Sequence, residues 1–253
     1  MNIKKMISML ICYFLIFGQA TTLQAAINSG TVWEIMIADG SANNGGGFYD
    51  RDPGTSVDYT QQAAAQYNPT TMTCAADSNT IVVSEGAFTN AMAGNIMNIS
   101  AGTNFTTGRY EITTFIDANS VKVDRWPVTD TGSDGTGYVG GALVSFEDLA
   151  WAGLDVVAGN TIYVKNKIGS VMTLTANRDY TALDGTSALP IKISGYKSVR
   201  DEELYIDTNL PEVDCQAYYL YLGDYIQIEN FRFIGTGATL MSTNTYSIQK
   251  NVY

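Results

Sequence analysis

The chain has 253 residues, with 25 acidic against 14 basic side chains, a net charge of −11 and no histidine. A surface this acidic repels phosphate backbones and anionic lipid, which argues against nucleic acid or a charged membrane face as partners. Without histidine, no Ser-His-Asp or Cys-His nucleophile and no histidine-ligated zinc or iron site can be built, so chemistry falls to carboxylates, Lys, Arg, Tyr or an oxygen-ligated ion.

Lys4 and Lys5 are followed by an apolar run over 6–17 and by small residues ending in Ala25 and Ala26. These are the proportions of a signal peptide over 1–26, so a secreted or cell-surface protein is expected, with no membrane span after cleavage. Cys12 lies inside the apolar run, leaving Cys74 and Cys215 in the mature chain, which are read as two separately buried thiols.

The next elements are short strands between turn residues: 32–37, 80–84, 96–100 and 110–116 are rich in β-branched and aromatic residues. Residues 117–120 (Asp117, Ala118, Asn119, Ser120) are turn formers and predict a hairpin between 112–116 and 121–125. Residues 59–67 and 146–157 are expected to be short helices, the second opened by Ser145 three residues before Asp148 in a capping-box spacing. The glycine-rich stretch 129–141 reads as a loop and as the best boundary. Strands are then expected at 161–165, 171–176, 191–194, 204–207, 218–222 and 225–234. Segments 225–232 and 246–253 share Tyr and Asn at matched positions, and such spacing suggests adjacent turns of one coil.

Residues 33–45, with Trp33, Asp39, Gly40, Asn43 and Gly45, together with 149–165, 189–196 and 225–235, resemble right-handed parallel β-helix proteins of the pectate-lyase-like superfamily. The resemblance implies an all-β, right-handed parallel β-helix. Its parts would be a signal peptide (1–26), an opening strand and turn (27–69), an inserted small β module (70–140), and a capping helix with the first rungs (141–253). The last rung would stand open at Tyr253, so the chain is expected to be the N-terminal part of a longer protein. No catalytic motif of the sugar-cleaving members is matched.

Period-2 alternation over 218–232 points Leu220, Leu222, Ile226 and Ile228 inward and Tyr219, Tyr221, Gln227, Glu229 and Arg232 outward. Aromatic rings beside amide and carboxylate groups can stack on and hydrogen-bond to sugar. The plainer alternative is a solvated sheet face whose rings fend off edge pairing. Asp39, Ser41 and Asn43, with Asp50 and Asp52, resemble a calcium loop in ligand type. However, Asn44 and Asp50 stand where the calcium pattern wants Gly and Glu, so a solvated turn and no cofactor are expected. Asp130 and Asp134 form a weaker version, and residues 45–47 lack the lysine of a phosphate loop. Asn98 and Asn104 fit the glycosylation pattern.

The function expected is a secreted protein that engages polysaccharide or serves as a surface structure, without a catalytic constellation of its own. Two alternatives stand beside it: the N-terminal part of a polysaccharide lyase or glycoside hydrolase, and an adhesin or phage-type receptor-binding fibre.

Overall fold

A computed structural model describes residues 27–149, 155–180, 184–204, 209–235, 239–242 and 248–253. The expected signal peptide lies outside the described residues, as does most of the strand expected at 204–207. Among the described residues no helix is long and apolar enough to cross a membrane.

The chain is all-β. It opens with β1 (Val32–Met36) and β2 (Gly47–Phe48) and continues through β3 (Met72–Cys74), β4 (Thr80–Val82), β5 (Ile96–Phe105), β6 (Gly108–Asp117), β7 (Ser120–Val123) and β8 (Val128–Val139). The second half holds β9 (Thr161–Lys165), β10 (Met172–Thr173), β11 (Arg178–Tyr180), β12 (Ile191–Tyr196), β13 (Glu212–Asp214) and β14 (Tyr219–Leu222). It ends with β15 (Ile226–Ile234), β16 (Thr239–Ser242) and β17 (Ile248–Val252).

These strands correct the expectation of a right-handed parallel β-helix. Strands β3-β4-β7-β6-β5-β8 close into a six-stranded barrel whose pairs are all antiparallel. The rest forms an eight-stranded sheet in the order β10-β13-β15-β12-β9-β1-β2, with β17 beside β15, and a three-stranded sheet β11-β14-β16. The larger sheet is mixed, because β1 pairs antiparallel with β2 and parallel with β9. No solenoid is present among the described residues, and the likeness to the pectate-lyase-like superfamily fails as a guide to the fold. Alternating side chains between Gly/Asn turns specify strands and their buried face, but not which strand lies beside which. The two similar segments do lie side by side, with Gln227 opposite Ile248 and Phe231 opposite Val252 in a parallel pair.

The glycine-rich stretch is the long strand β8, not a loop. Its small residues are needed because β8 is wedged between β5 and β3: a Cβ at Gly135 would lie 2.7 Å from the Phe105 ring and 2.8 Å from Met72. Neither expected helix extends beyond one 3-10 turn among the described residues. Asp58 caps Tyr59–Gln61, but Gln62 is already extended. Backbone pairing then takes over, with the Gln66 N–H donating to the Val139 carbonyl at 2.8 Å. Ser145 and Asp148 do form the capping box, over the single turn Phe146–Asp148.

The described residues form two cores. One fills the barrel with Met72, Cys74, Ile81, Met97, Ile99, Tyr110, Ile112 and Val121. The other lies under the mixed sheet and includes Trp33, Ile35, Ile162, Val164, Ile193, Ile226, Ile228 and Phe231. Burying one such aliphatic side chain stabilises by about 1.5–3 kcal/mol. The Trp33 indole N–H is satisfied by Asn160 Oδ1 at 3.1 Å. Cys74 and Cys215 are free and buried, one in each core.

The halves meet along residues 40–47. The Glu34 N–H donates to the Gly46 carbonyl at 2.9 Å, and the Gly45 and Gly46 N–H groups donate to Gly140 and Gly141 on the barrel side. Arg109 on β6, only 8% exposed, reaches the Ala42 and Asp148 carbonyls at 3.1 and 2.6 Å and Asp155 at 3.2 Å.

Candidate functional site

Opposite the core, the parallel strands of the mixed sheet present a polar face. Register aligns Glu34, Tyr163, Ser194, Glu229 and Lys250 in one row across β1, β9, β12, β15 and β17. Thr161, Lys192 and Gln227 form the next row. Cross-strand neighbours on one face interact directly, so each row brings donors beside acceptors. Lys192 Nζ bridges Asp201 Oδ1 at 2.8 Å and Glu229 Oε1 at 2.9 Å. The Ser194 hydroxyl donates to Glu229 at 2.8 Å, and the Tyr163 hydroxyl to Asp201 at 2.7 Å.

A second centre lies at the β1 end of the face. Arg200 donates through Nε and Nη2 to Glu34 Oε2, at 2.8 and 2.7 Å, and through Nη1 to Asp58 Oδ2 at 2.7 Å. The guanidinium also sits 5.0 Å from the Tyr163 ring centroid. The Tyr196 hydroxyl donates to the other oxygen of Glu34.

Burial pushes the Glu34 carboxyl up to about 7, against the opposing pull of Arg200 and Tyr196. Burial and the neighbouring Asp201 likewise push Tyr163 up to about 12. Asp201 and Glu229 go the other way. Burial alone would raise them, yet Lys192, joined by Tyr163 and Ser194 respectively, holds both below the usual carboxylate range.

A raised carboxyl is a familiar mark of an acid catalyst, but structural ion pairs perturb pKa as well. Here exposure decides: Glu34 is 0% exposed and both its oxygens are already bonded. A general acid for glycoside cleavage must touch the leaving oxygen, with a second carboxylate across the scissile bond. Glu34 can do neither. It fastens β1 to residues 58–60 and the 196–200 turn, leaving Asp201 and Lys250 as exposed charges of the face, with Lys192 half-buried between Asp201 and Glu229.

The five outward residues expected from the sequence do not form one site. Gln227 and Glu229 lie on this polar face. Tyr219 and Tyr221 lie on β14, in the three-stranded sheet, with ring centroids 5.8 Å apart and planes tilted by 47°. Tyr219 is 37% exposed, and its backbone N–H donates to Asn177 Oδ1 at 3.0 Å. Arg232 follows the left-handed bend at Asn230 (φ 62°) and pairs with Glu212 at 2.9 Å. The alternation applied to 218–232 would also have turned Glu34, Lys192 and Ser194 outward. Asp58, Arg200 and Asp201 sit in irregular segments where no period points to them.

The calcium-loop residues do not converge. Asp39 pairs with Lys167, and Ser41 Oγ accepts from the Asn43 N–H at 3.3 Å. Among the described residues no three Asp, Glu or Cys side chains are grouped to hold a metal ion.

No protein-family model, no curated protein and no solved structure matches this chain.

Proposed function

We propose that this is an exported glycan-binding protein that holds a neutral polysaccharide or cell-surface glycan without cleaving it. The observation that carries the reading is the outward pair Tyr219 and Tyr221, side by side on a parallel strand with rings 5.8 Å apart. Two rigid aromatic side chains supply stacking area at low entropic cost, and their hydroxyls can bond to sugar hydroxyls at the ring edge. Asn177, exposed beside Tyr219, adds a side-chain amide to the same surface. The net charge of −11 favours neutral glycans over uronic-acid polymers, which this surface would repel. Binding without cleavage fits the occupied state of Glu34, and export fits the charged start and apolar run of the first residues.

The test is titration of the purified protein against soluble neutral and uronic-acid polysaccharides, with product reducing ends measured in parallel. Saturable binding to a neutral polymer with no new reducing ends is expected. New reducing ends, or binding confined to the acidic polymers, would contradict the reading.

A further inference from the structure

A cleft of about 330 Å³ opens where the turn after β1, the 59–68 segment and barrel strand β8 meet. One wall is three consecutive alanines, Ala63, Ala64 and Ala65, which leave empty the space that longer side chains would fill. Polar groups converge on it from the other sides: Asp39, Ser41, Asn44, Asn68 and Tyr138.

The cleft is built by buried chemistry. Asn44 is only 3% exposed. Both hydrogens of its amide are committed, to the Ala63 carbonyl at 2.7 Å and the Ala142 carbonyl at 2.7 Å. The group Asn44 has left to offer is its carbonyl oxygen. The same two bonds pin the alanine wall to the barrel side, assisted by Ala142 N–H to Gln62 O at 2.8 Å and Gly141 N–H to Tyr59 O at 2.9 Å. The walls therefore keep their spacing whether or not the cleft is filled, which is the preorganisation that binding rewards.

Its exposed lining is mostly apolar, with a few polar groups set into it. Asp39 contributes a carboxylate, already partnered on one oxygen by Lys167, and Asn44 contributes a carbonyl. Ser41, Asn68 and Tyr138 can each donate or accept, and Tyr138 adds a ring wall. A mostly apolar surface with one aromatic ring and a few polar groups suits a sugar ring, which is apolar on its face and carries hydroxyls at its edge, and the volume is at the small end of the ~300–1,000 Å³ range of ligand sites.

We propose that this cleft is a second binding site, separate from the tyrosine pair, that takes a single sugar ring, either free or at the end of a glycan. Asp39 and the Asn44 carbonyl accept from ring hydroxyls, and Tyr138 covers one face of the ring.

The experiment is ligand-observed saturation-transfer NMR on the full chain. The probes are free hexoses and N-acetylhexosamines, and oligosaccharides ending in the same sugars. At least one free sugar should give a transfer signal that is lost in Ala64→Phe, where bulk fills the cleft from an exposed position. Tyr138→Ala should weaken the signal without moving the thermal transition. Signal from the matching oligosaccharide identifies a chain end as the ligand; signal from the free sugar alone identifies a free monosaccharide. The double variant Tyr219→Ala/Tyr221→Ala should leave the cleft signal intact, which separates this proposal from the polysaccharide reading. No transfer to any probe, or transfer that survives Ala64→Phe and Tyr138→Ala, or transfer abolished by the tyrosine double variant, would overturn the proposal.

Discussion

The barrel and the mixed sheet bury similar aliphatic side chains under opposite constraints. The barrel draws all its strands from 72–139 and pairs neighbours through short turns, as at Asp117↔Ser120, and closure leaves it no free edge. The mixed sheet is open, and one of its parallel pairs, β1 with β9, joins residues on either side of the barrel in the chain. A barrel folded on its own brings those two strands near each other and lowers the entropic cost of closing the loop between them. In this arrangement the barrel organises the chain, while the three-stranded sheet carries the surface proposed to hold polysaccharide and the cleft proposed for a single sugar lies at the seam between the two regions.

The sharpest way to break that arrangement is at the seam. A Cβ on Gly45 would lie 1.9 Å from the Ile96 carbonyl of β5, backbone against backbone. Gly45→Ala should therefore abolish folded protein altogether, read as loss of any cooperative thermal transition. A variant that melts within a few degrees of the parent would show that the seam is loose.

The next effect is confined to the sheet. Ile228 is 0% exposed, and truncating a buried aliphatic typically costs about 2–5 kcal/mol, with a buried charge costing more. Ile228→Asp should be severe, while Gln227→Asp, one residue away on the polar face, should change stability by less than about 0.5 kcal/mol. Similar melting temperatures for the two would reverse the assignment of faces.

Smaller again is a pH effect at the β1 end of the polar face. Glu34 titrates near 7 when folded, above its ordinary value of 4.5, so the folded state holds this proton more tightly than the unfolded chain does. Its contribution is therefore fully present below about pH 4.5 and is lost as pH rises through 7, a change of the order of 3 kcal/mol. Denaturant unfolding at pH 5 and pH 8 should show this loss in the parent and not in Glu34→Gln. Equal pH dependence in both would remove Glu34 from the account.

The smallest effect expected is none. Cys74 and Cys215 lie in separate cores, and burial raises both thiols above their ordinary value. Adding a reductant should leave the melting temperature unchanged; a downward shift would mean the two cores are cross-linked.

How much was legible in the sequence also differs between the two regions. The hairpin at 117–120 could be read because its turn residues lie between two alternating runs. Inward Leu220, Ile226 and Ile228 could be read because their period is that of a strand. Strand β8 could not, since its glycines resemble a loop until Phe105 and Met72 are seen pressing against them. Residues 62–67 have helical composition, yet backbone pairing to Val139 holds part of them extended, a tertiary effect that local propensity does not show. The closed barrel and the mixed sheet that replace the expected parallel β-helix depend on contacts between distant residues, which alternation along one segment does not show. The same holds for the polar face: alternation marks Glu34 and Lys192, while Arg200 and Asp58 reach it from irregular segments 142 residues apart in sequence.

The central claim is that polysaccharide is held by the tyrosine pair on the three-stranded sheet. The barrel offers a rival in Trp126, 58% exposed and, among the described residues, the most open large aromatic side chain outside the chain end. Affinity electrophoresis through gels containing the neutral polysaccharide that the parent protein binds compares the two surfaces directly. The account predicts that Tyr219→Ala/Tyr221→Ala migrates as if no polysaccharide were present, while Trp126→Ala is retarded like the parent. Retardation lost in Trp126→Ala and kept in the tyrosine double variant would contradict it.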